Sequence, residues 1–327
     1  MVKFGLELVP NIPLEKIVKF STMAEEGGLD TVWITDHFYN RNVYIALTAV
    51  ALKTSRISLG PGVTNPYVVN PVWTASAVAT LDEVSGGRAI LGIGAGDRVT
   101  LEKLSIEQKV PLSAVRESVQ VIRSLLSGET VTIDGRFIKL KDVGLAYKPG
   151  RVVPIYIGAQ GPKMLRLASK VGDGILINAS NPKDFEYALK IVREAAGDRL
   201  GKLDIVAYTC FSVDEDREKA RKKVVPIVAF IVAGSPEIVL ERHGIDKSRA
   251  AEIKEALGKG DFPGAMSKVT DDMVEAFSIY GTPEDCISKI EELVKVGVTH
   301  VVFGSPLGAK KAAALKLITE RVVPAFR

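Results

Sequence analysis

The sequence predicts an α/β fold of the (β/α)8 type, the TIM barrel, in a chain of 327 residues. Short apolar, β-branched runs alternate with amphipathic stretches along the chain, which is typical of strands and helices that build a parallel sheet. Eight such repeats are present, and eight βα units close a barrel. A doubly wound open sheet is the alternative that the same alternation allows.

Eight runs have the length and composition of strands. They are Phe4 to Val9, Thr31 to Thr35, Ile57 to Gly60, Ala89 to Ile93, Pro154 to Gly158, Gly174 to Asn178, Asp204 to Ser212, and His300 to Gly304. A helical pattern follows each strand: Leu14 to Glu26, Val43 to Lys53, Val72 to Val84, Leu112 to Leu126, Pro162 to Lys170, Pro182 to Ala196, several after Ser212, and Ala309 to Arg321.

Two stretches interrupt this repeat and are interpreted as insertions into a single domain that spans residues 1–327. In residues 128–151, strand-like pieces around Val131-Thr132-Ile133 and Phe137 to Leu140 flank Asp134-Gly135, which indicates a hairpin. Residues 213–299 are expected to form a long helical excursion between the seventh and eighth strands. Its apolar segment from Val224 to Gly234 is expected to be buried, either within the chain or at a subunit interface.

Composition excludes several classes of protein. The net charge is only +4, and the basic residues are scattered among acidic ones, which argues against a nucleic-acid surface. The two cysteines, Cys210 and Cys286, favour a reducing, cytoplasmic setting over a disulfide framework. No signal peptide, membrane span, zinc-ligand spacing or P-loop is evident, so we expect no membrane, no bound metal and no phosphoryl transfer.

The first predicted strand carries an acidic residue where one is unexpected. Glu7 lies between Leu6 and Leu8 in an apolar run, where an isolated carboxylate is costly. A buried glutamate that pairs with an arginine is one interpretation. The other is a glutamate inside the barrel whose pKa is raised by burial, so that it can give or take a proton.

The carboxyl ends of the next three strands are polar or rich in glycine, and barrel enzymes hold their active sites at this end. Thr35-Asp36-His37 offers hydrogen bonds to a polar ring edge, or alternatively only a capped loop. The run Gly60 to Tyr67 suggests backbone close to a flat ligand. The run Gly92 to Asp97 fails as a dinucleotide loop, because Asp97 stands where the last glycine is required.

The fifth and sixth strands end in loops that suit an anion. Gly158 to Gly161 leads directly into a helix with Pro162 in its first turn, and free N–H groups at such a helix end bind anions. After the sixth strand, Asn181 is the expected N-cap of the next helix, while Ser180 and Lys183 are alternatives for contacting a phosphate or carboxylate.

Several segments together identify a family. They are Glu7 to Asn11, Trp33 to His37, Gly60 to Tyr67, Gly158 to Pro162, Leu176 to Phe185, Ala229 to Pro236, and Glu241 to Gly244. Through these segments the chain resembles the methylenetetrahydromethanopterin reductases of methanogenic archaea, within the bacterial-luciferase-like superfamily, in one register along essentially its whole length.

The resemblance implies a function in methanogenesis and one-carbon metabolism. It implies hydride transfer from reduced coenzyme F420, an 8-hydroxy-5-deazaflavin, to 5,10-methylenetetrahydromethanopterin, which gives the 5-methyl product. It implies Glu7 as the catalytic proton donor and a cis peptide bond between Gly62 and Val63. It also implies a homodimer or homotetramer that binds a small pterin substrate.

The resemblance also implies which residues contact the cofactor. They are Asp36, Gly62, Val63, Thr64, Asn65, Gly94, Asp97, Gly158, Ala159, Gln160, Gly161 and Asn178. The loop from Gly158 to Gly161 is expected to take the phosphate, and Asp97 and Gln160 are second-choice substrate contacts.

Other functions remain open at this point. An FMN monooxygenase is the nearest alternative, together with an F420-dependent dehydrogenase of an alcohol or sugar phosphate in which His37 is the base. A barrel that binds flavin without catalysis is a further alternative, although it does not easily explain Glu7 together with the polar strand ends.

Overall fold

Strands and helices alternate along the chain in the predicted order. The computed structural model describes residues 2–327. The strands are β1 (Lys3–Leu8), β2 (Thr31–Ile34), β3 (Ser58–Pro61), β4 (Leu91–Ile93), β5 (Val131–Asp134), β6 (Lys139–Val143), β7 (Ile155–Gly158), β8 (Gly174–Ile177), β9 (Asp204–Val213), β10 (Ile279–Gly281) and β11 (His300–Leu307). Each of the eight predicted strands is present, with ends that differ by at most a few residues.

The helices follow the predicted positions as well. They are α1 (Leu14–Glu26), α2 (Val43–Ala51), α3 (Pro71–Ser85), α4 (Arg98–Lys103), α5 (Pro111–Leu126), α6 (Pro162–Val171), α7 (Pro182–Ala196), α8 (Arg217–Gly234), α9 (Glu237–Arg242), α10 (Lys247–Gly258), α11 (Phe262–Ser267), α12 (Asp271–Phe277), α13 (Pro283–Val296) and α14 (Lys311–Leu317). Short helical turns lie at Gly197–Lys202, Ile318–Val322 and Val323–Phe326. The sequence analysis missed α4, a short helix capped by the side chain of Asp97.

The chain divides into two compact units. The N-terminal unit comprises Gly5–Ile177 and Lys190–Val206, and the C-terminal unit comprises residues 2–4, Asn178–Leu189 and Ala207–Arg327. Strands β1 and β9 contribute residues to both units. The single domain expected from the sequence stays a prediction.

Within the N-terminal unit the barrel strands pair in parallel with their neighbours along the chain. The pairs are β1 with β2, β2 with β3, β4 with β7 and β7 with β8. Bridges from Leu59 to Ala89 and from Thr64 to Ile93 join β3 to β4. With β9 beside β8 and β11, and β11 beside β1, the strand order is that of a (β/α)8 barrel, which confirms the predicted fold class.

The C-terminal unit contains the long helical excursion. Strand β9 pairs with β11 and also, in parallel, with β10, a short strand that the sequence analysis missed. Helix α8 buries Val224, Val228 and Val232 in an apolar cluster with residues of α9 to α12. The apolar segment is therefore buried within its own chain on one face only, and Phe230 within it is 54% exposed, so burial of the rest at a subunit interface stays a prediction.

The predicted hairpin is present, but its second strand starts later than expected. Strands β5 and β6 are antiparallel, and β6 begins at Lys139 instead of Phe137. The reason is Glu117 on α5, whose buried carboxylate accepts hydrogen bonds from the N–H groups of Arg136, Phe137 and Ile138. Those N–H groups are then not available to a strand partner.

Glu25 is bound in the same way at the end of α1. Its carboxylate is buried and accepts hydrogen bonds from the N–H groups of Ser55, Arg56 and Ile57, at 2.7 to 3.0 Å. Burial raises the pKa of Glu25, but these backbone hydrogen bonds outweigh it, so the pKa lies below its ordinary value. The carboxylate thus fixes the turn that leads into β3.

Further expectations concern membranes, metals and cysteines. Among residues 2–327 no helix has the length and apolar character needed to cross a membrane. No group of three or more potential metal-ligating side chains is clustered in that range. Cys210 and Cys286 are both buried, and neither forms a disulfide.

The bound carboxylate of Glu25 predicts a pH-dependent stability. Because its pKa is lower in the folded chain than in the unfolded chain, Glu25 stabilises the fold above the ordinary pKa of 4.5, and this contribution is lost as the pH falls. We expect Glu25→Gln to lower the free energy of unfolding at pH 7 by about 1 to 3 kcal/mol and to flatten its fall below that pKa. Urea unfolding at several pH values measures both effects.

The exposed Glu83→Gln is the matched control, because its side chain lies in solvent. If Glu25→Gln and Glu83→Gln give the same stability at every pH, the three backbone hydrogen bonds do not stabilise the fold as described.

Candidate active site

The carboxyl group of Glu7 is buried on the inner face of β1. Glu7 pairs in register with Trp33 on β2, and residues in register on parallel strands point to the same side of the sheet. The ring of Trp33 meets the ring of Tyr156 on β7 edge-on, with 5.2 Å between centroids. The side chain of Glu7, only 9% exposed, therefore points toward other strands and not toward the outer helices.

The predicted cis peptide bond is present between Gly62 and Val63, directly after β3. Thr64 then continues the pairing with β4. Its N–H group donates to the carbonyl of Gly92 at 3.0 Å, and its carbonyl accepts from the N–H group of Gly94 at 2.9 Å. The segment after β3 is thus held along the end of β4.

Val63 lies against two glycines that end neighbouring strands. A Cβ atom placed on Gly94 would lie 3.1 Å from Cγ2 of Val63, and one placed on Gly158 would lie 3.5 Å from it. The first distance is tighter than ordinary contact, so a side chain at Gly94 would displace Val63. Val63, Gly94 and Gly158 form a strip of low relief, to which only Val63 contributes a side chain, and we call it the glycine strip.

Asp36 supplies a half-buried carboxyl group at the end of β2. Burial raises its pKa above the ordinary value, while the nearby hydroxyl of Thr64 and the charge of His37 partly offset this. Asp36 is therefore easier to protonate than an exposed aspartate. It places a proton donor or acceptor beside the segment that follows β3.

Two polar groups near Asp36 were not singled out from the sequence. The hydroxyl of Thr35 is buried and has no hydrogen-bond partner among residues 2–327. The hydroxyl of Tyr44, in the first turn of α2, has a raised pKa because it is buried and because Asp36 is nearby. Tyr44 follows the N-cap Asn42 by two residues, and this helix start was the only signal for it. A buried polar group without a partner suits a polar ligand.

Two predicted contact residues have their carboxyl or amide oxygens engaged within the protein. The side-chain oxygen of Asn65 accepts hydrogen bonds from the N–H groups of Tyr67 and Val68. Asp97 is exposed and caps α4, where it accepts from the N–H group and the hydroxyl of Thr100. These bonds fix the two loops, and contact of either residue with a ligand stays a prediction.

The loop after β7 leads into α6 as predicted. The N–H group of Ala159 donates to the carbonyl of Leu176, so it belongs to the sheet and does not face a ligand. Gln160 and Gly161 are exposed, and Gly161 has open space where a side chain would be. Helix α6 begins at Pro162, and its next N–H groups, those of Lys163 and Met164, lie in the first turn, where an α-helix provides no partner.

The residues after β8 belong to the C-terminal unit, so they are described separately. Asn178 is exposed. The side chain of Asn181 accepts a hydrogen bond from the N–H group of Lys183, which confirms it as the cap of α7. The hydroxyl of Ser180 accepts from the N–H group of Cys210 and is buried, so Ser180 has a structural role.

Comparisons with known proteins agree along the whole chain. Residues 2–300 match the family described as luciferase-like monooxygenase. The chain is 51% identical to the 5,10-methylenetetrahydromethanopterin reductase of Archaeoglobus fulgidus, and the match covers 100% of both chains. It is 30% identical to the F420-dependent glucose-6-phosphate dehydrogenase of Kineococcus radiotolerans, covering 95% of this chain and 93% of the relative.

Solved structures show the same fold. The coenzyme F420-dependent tetrahydromethanopterin reductase from Methanopyrus kandleri superposes with a TM-score of 0.96 at 45% identity, covering 100% of this chain and 99% of the other. An F420-dependent secondary alcohol dehydrogenase matches with a TM-score of 0.82 at 22% identity, covering 100% and 99%, which shows a shared fold alone.

The hydroxyl of Thr64 near Asp36 predicts how the site titrates. Because this hydroxyl lowers the pKa of Asp36, its removal in Thr64→Val is expected to raise that pKa further above its ordinary value of 3.8. Thr64→Ser keeps the hydroxyl and should leave the pKa near that of the unmodified protein. NMR titration of labelled aspartate carboxyls, with Asp36→Asn to assign the signal, measures the shift. A pKa that falls in Thr64→Val would contradict this effect of the hydroxyl.

Proposed function

Because the chain belongs to the luciferase-like monooxygenase family, and within it to the 5,10-methylenetetrahydromethanopterin reductases, we propose that it reduces 5,10-methylenetetrahydromethanopterin with reduced coenzyme F420. The product is 5-methyltetrahydromethanopterin. The enzyme is thus an F420-dependent oxidoreductase of methanogenesis and one-carbon metabolism.

Within the structure, the buried carboxyl group of Glu7 carries this proposal. Burial favours the uncharged, protonated form of a carboxyl group. Reduction of the substrate needs a proton as well as a hydride, because one of the two C–N bonds of the bridging methylene group must break. Glu7 would give its proton to one of the two bridged nitrogens, which opens that bond and leaves an iminium carbon ready to accept hydride.

The residues at the strand ends fit a flat deazaflavin. The glycine strip offers an apolar surface of low relief, and the buried, unpartnered hydroxyl of Thr35 suits the polar edge of a heterocycle. Asp36 and Thr64 would contact that edge, as predicted from the resemblance. The exposed N-terminal turn of α6 would hold the phosphate, through the N–H groups of Lys163 and Met164.

Reduced F420, when bound, supplies a hydride and none of the oxygen chemistry of flavins. The protein's own contribution is then to position the reactants and to exclude water. Val63 and its two glycines would support one face of the ring, and the reacting carbon would lie within reach of Glu7. Asp97 and Gln160 remain the proposed second-choice contacts of the substrate.

The remaining parts of the proposal concern setting and assembly. Two buried cysteines that form no disulfide suit a reducing cytoplasm. Three large apolar side chains are exposed on the surface around α2 and α3. Ile45 lies on α2, Leu52 directly follows α2, and Trp73 lies in the first turn of α3. Since α2 and α3 pack on each other, we propose that this surface is buried in a homodimer or homotetramer.

An anaerobic assay tests the function directly. Oxidation of reduced F420 should be rapid with methylenetetrahydromethanopterin and slow or absent with methylenetetrahydrofolate. Binding spectra recorded with FMN and with F420 separate the cofactor classes. Reduction of F420 by an alcohol or sugar phosphate, or tight binding of FMN alone, would contradict the proposal.

The proton-donor role of Glu7 predicts a selective loss of turnover. We expect Glu7→Gln to bind F420 normally, because the amide has nearly the same shape, but to lose about 100-fold or more in kcat. Glu7→Asp keeps an acid and should retain more turnover, and the exposed Glu129→Gln is the matched control. Stopped-flow kinetics and F420 titration measure the two quantities. Unchanged turnover in Glu7→Gln would refute the role.

If the exposed apolar surface of α2 and α3 is the subunit interface, a charged residue placed on it should weaken the assembly. Trp73 is 72% exposed, so Trp73→Glu should leave the fold intact and separate the oligomer into smaller species. Light scattering after gel filtration measures the mass. Ser127→Glu, on the exposed end of α5, is the control, and an unchanged mass in Trp73→Glu would show that the assembly uses another surface.

A further inference from the structure

Apolar side chains are exposed in the loops that follow three consecutive strands of the N-terminal unit. Phe38 and Tyr39, 50% and 60% exposed, follow β2. Val68 follows β3, and Val99, 59% exposed, lies just after β4. Single exposed apolar residues are common, but a group around one end of the strands indicates a binding surface.

The aromatic rings of the β2 loop are held in a fixed arrangement. The ring of His37 stacks on that of Tyr39, with 5.2 Å between centroids and 5° between planes. The ring of Phe38 meets Tyr39 edge-on, with 5.1 Å between centroids. Tyr39 is therefore ordered by neighbours on its own loop, although most of its surface is exposed. An ordered ring loses little conformational freedom when a ligand covers it.

Partial burial raises the pKa of Tyr39, and the charge of Asp97 in the loop after β4 raises it further. The β4 loop is itself fixed, because Asp97 caps α4 and the side chain of Gln108 donates to the carbonyls of Ala95 and Gly96. The aromatic rings therefore lie on one loop, the β2 loop, and the charged residue that affects Tyr39 lies on a second loop that is anchored.

The position of the aromatic residues next to Asp36 indicates which kind of ligand group they would bind. The loop that begins with Asp36 continues directly into the aromatic residues, so a molecule bound at Asp36 has these rings within reach. In the proposed substrate, one of the two nitrogens bridged by the methylene group carries an aryl ring. A flat aryl ring gains by contact with exposed aromatic faces and edges, and it covers apolar area that otherwise faces water.

We propose that Phe38 and Tyr39, with His37 supporting Tyr39, form a subsite for the aryl ring of the pterin substrate. This subsite determines specificity for substrates that carry the aryl group. It rests on the proposed function, since the ligand is the substrate of that reaction. The residues act in binding, and Glu7 and the cofactor contacts remain separate from them.

Binding measured without cofactor tests the subsite. Calorimetry with tetrahydromethanopterin and with 6-methyltetrahydropterin, which lacks the aryl ring, compares the intact protein with Phe38→Ala and Tyr39→Ala. Each substitution should weaken tetrahydromethanopterin binding about five- to tenfold and leave binding of the smaller pterin unchanged. KM should rise by the same factor, while kcat and F420 affinity stay within error.

Two further variants make the outcome specific. Tyr39→Phe keeps the ring and should bind tetrahydromethanopterin normally; a loss as large as that of Tyr39→Ala would assign the effect to the hydroxyl and overturn the stacking role. Phe262→Ala, which removes a half-exposed ring from α11 in the other unit, is the matched control.

The failure of the subsite and the failure of the proposed function give different results. If the intact protein binds tetrahydromethanopterin and both alanine variants bind it equally well, the subsite is wrong and the function stands. If the intact protein neither binds tetrahydromethanopterin nor reduces its methylene form, the function is wrong, and the subsite falls with it.

Discussion

The close approach of β3 to β4 determines how the segments after these two strands pack at the carboxyl ends of the barrel strands. A Cβ atom on Gly60 would lie 1.9 Å from the carbonyl oxygen of Ile90, and one on Gly92 would lie 2.3 Å from that of Pro61. No side chain fits at either position. This spacing lets Thr64 pair with β4 and brings Val63 against Gly94, so the glycine strip exists because two strands meet where only glycine is tolerated.

This constraint changes the meaning of the glycines in the sequence. Glycines at strand ends suggested backbone close to a ligand, but Gly60 and Gly92 face neighbouring backbone instead. Gly94 and Gly158 face Val63, so their lack of side chains gives room for its side chain. The glycines are therefore of two kinds, one that permits the strand packing and one that accommodates Val63.

The buried carboxyl groups are also of two kinds, those that stabilise a turn and those that can exchange a proton. Glu25 and Glu117 each accept hydrogen bonds from three consecutive N–H groups, which hold their pKa values low in spite of burial. Asp36 has less compensation, so its pKa is raised. A carboxylate that is surrounded by N–H groups fixes a turn, whereas a less compensated one can exchange a proton.

The sequence by itself determined the eight βα units, the fold class, the cap at Asn181 and the unusual position of Glu7, because apolar periodicity and capping are local patterns. Through its resemblance to a family, it also predicted the cis bond between Gly62 and Val63.

The tertiary structure decided features that depend on partners distant in the chain. Glu117 binds the N–H groups that precede β6, β9 pairs with β10, and the carbonyl of Leu176 accepts a hydrogen bond from the N–H group of Ala159. No local pattern contains these contacts, since each joins residues that only the folded chain brings together.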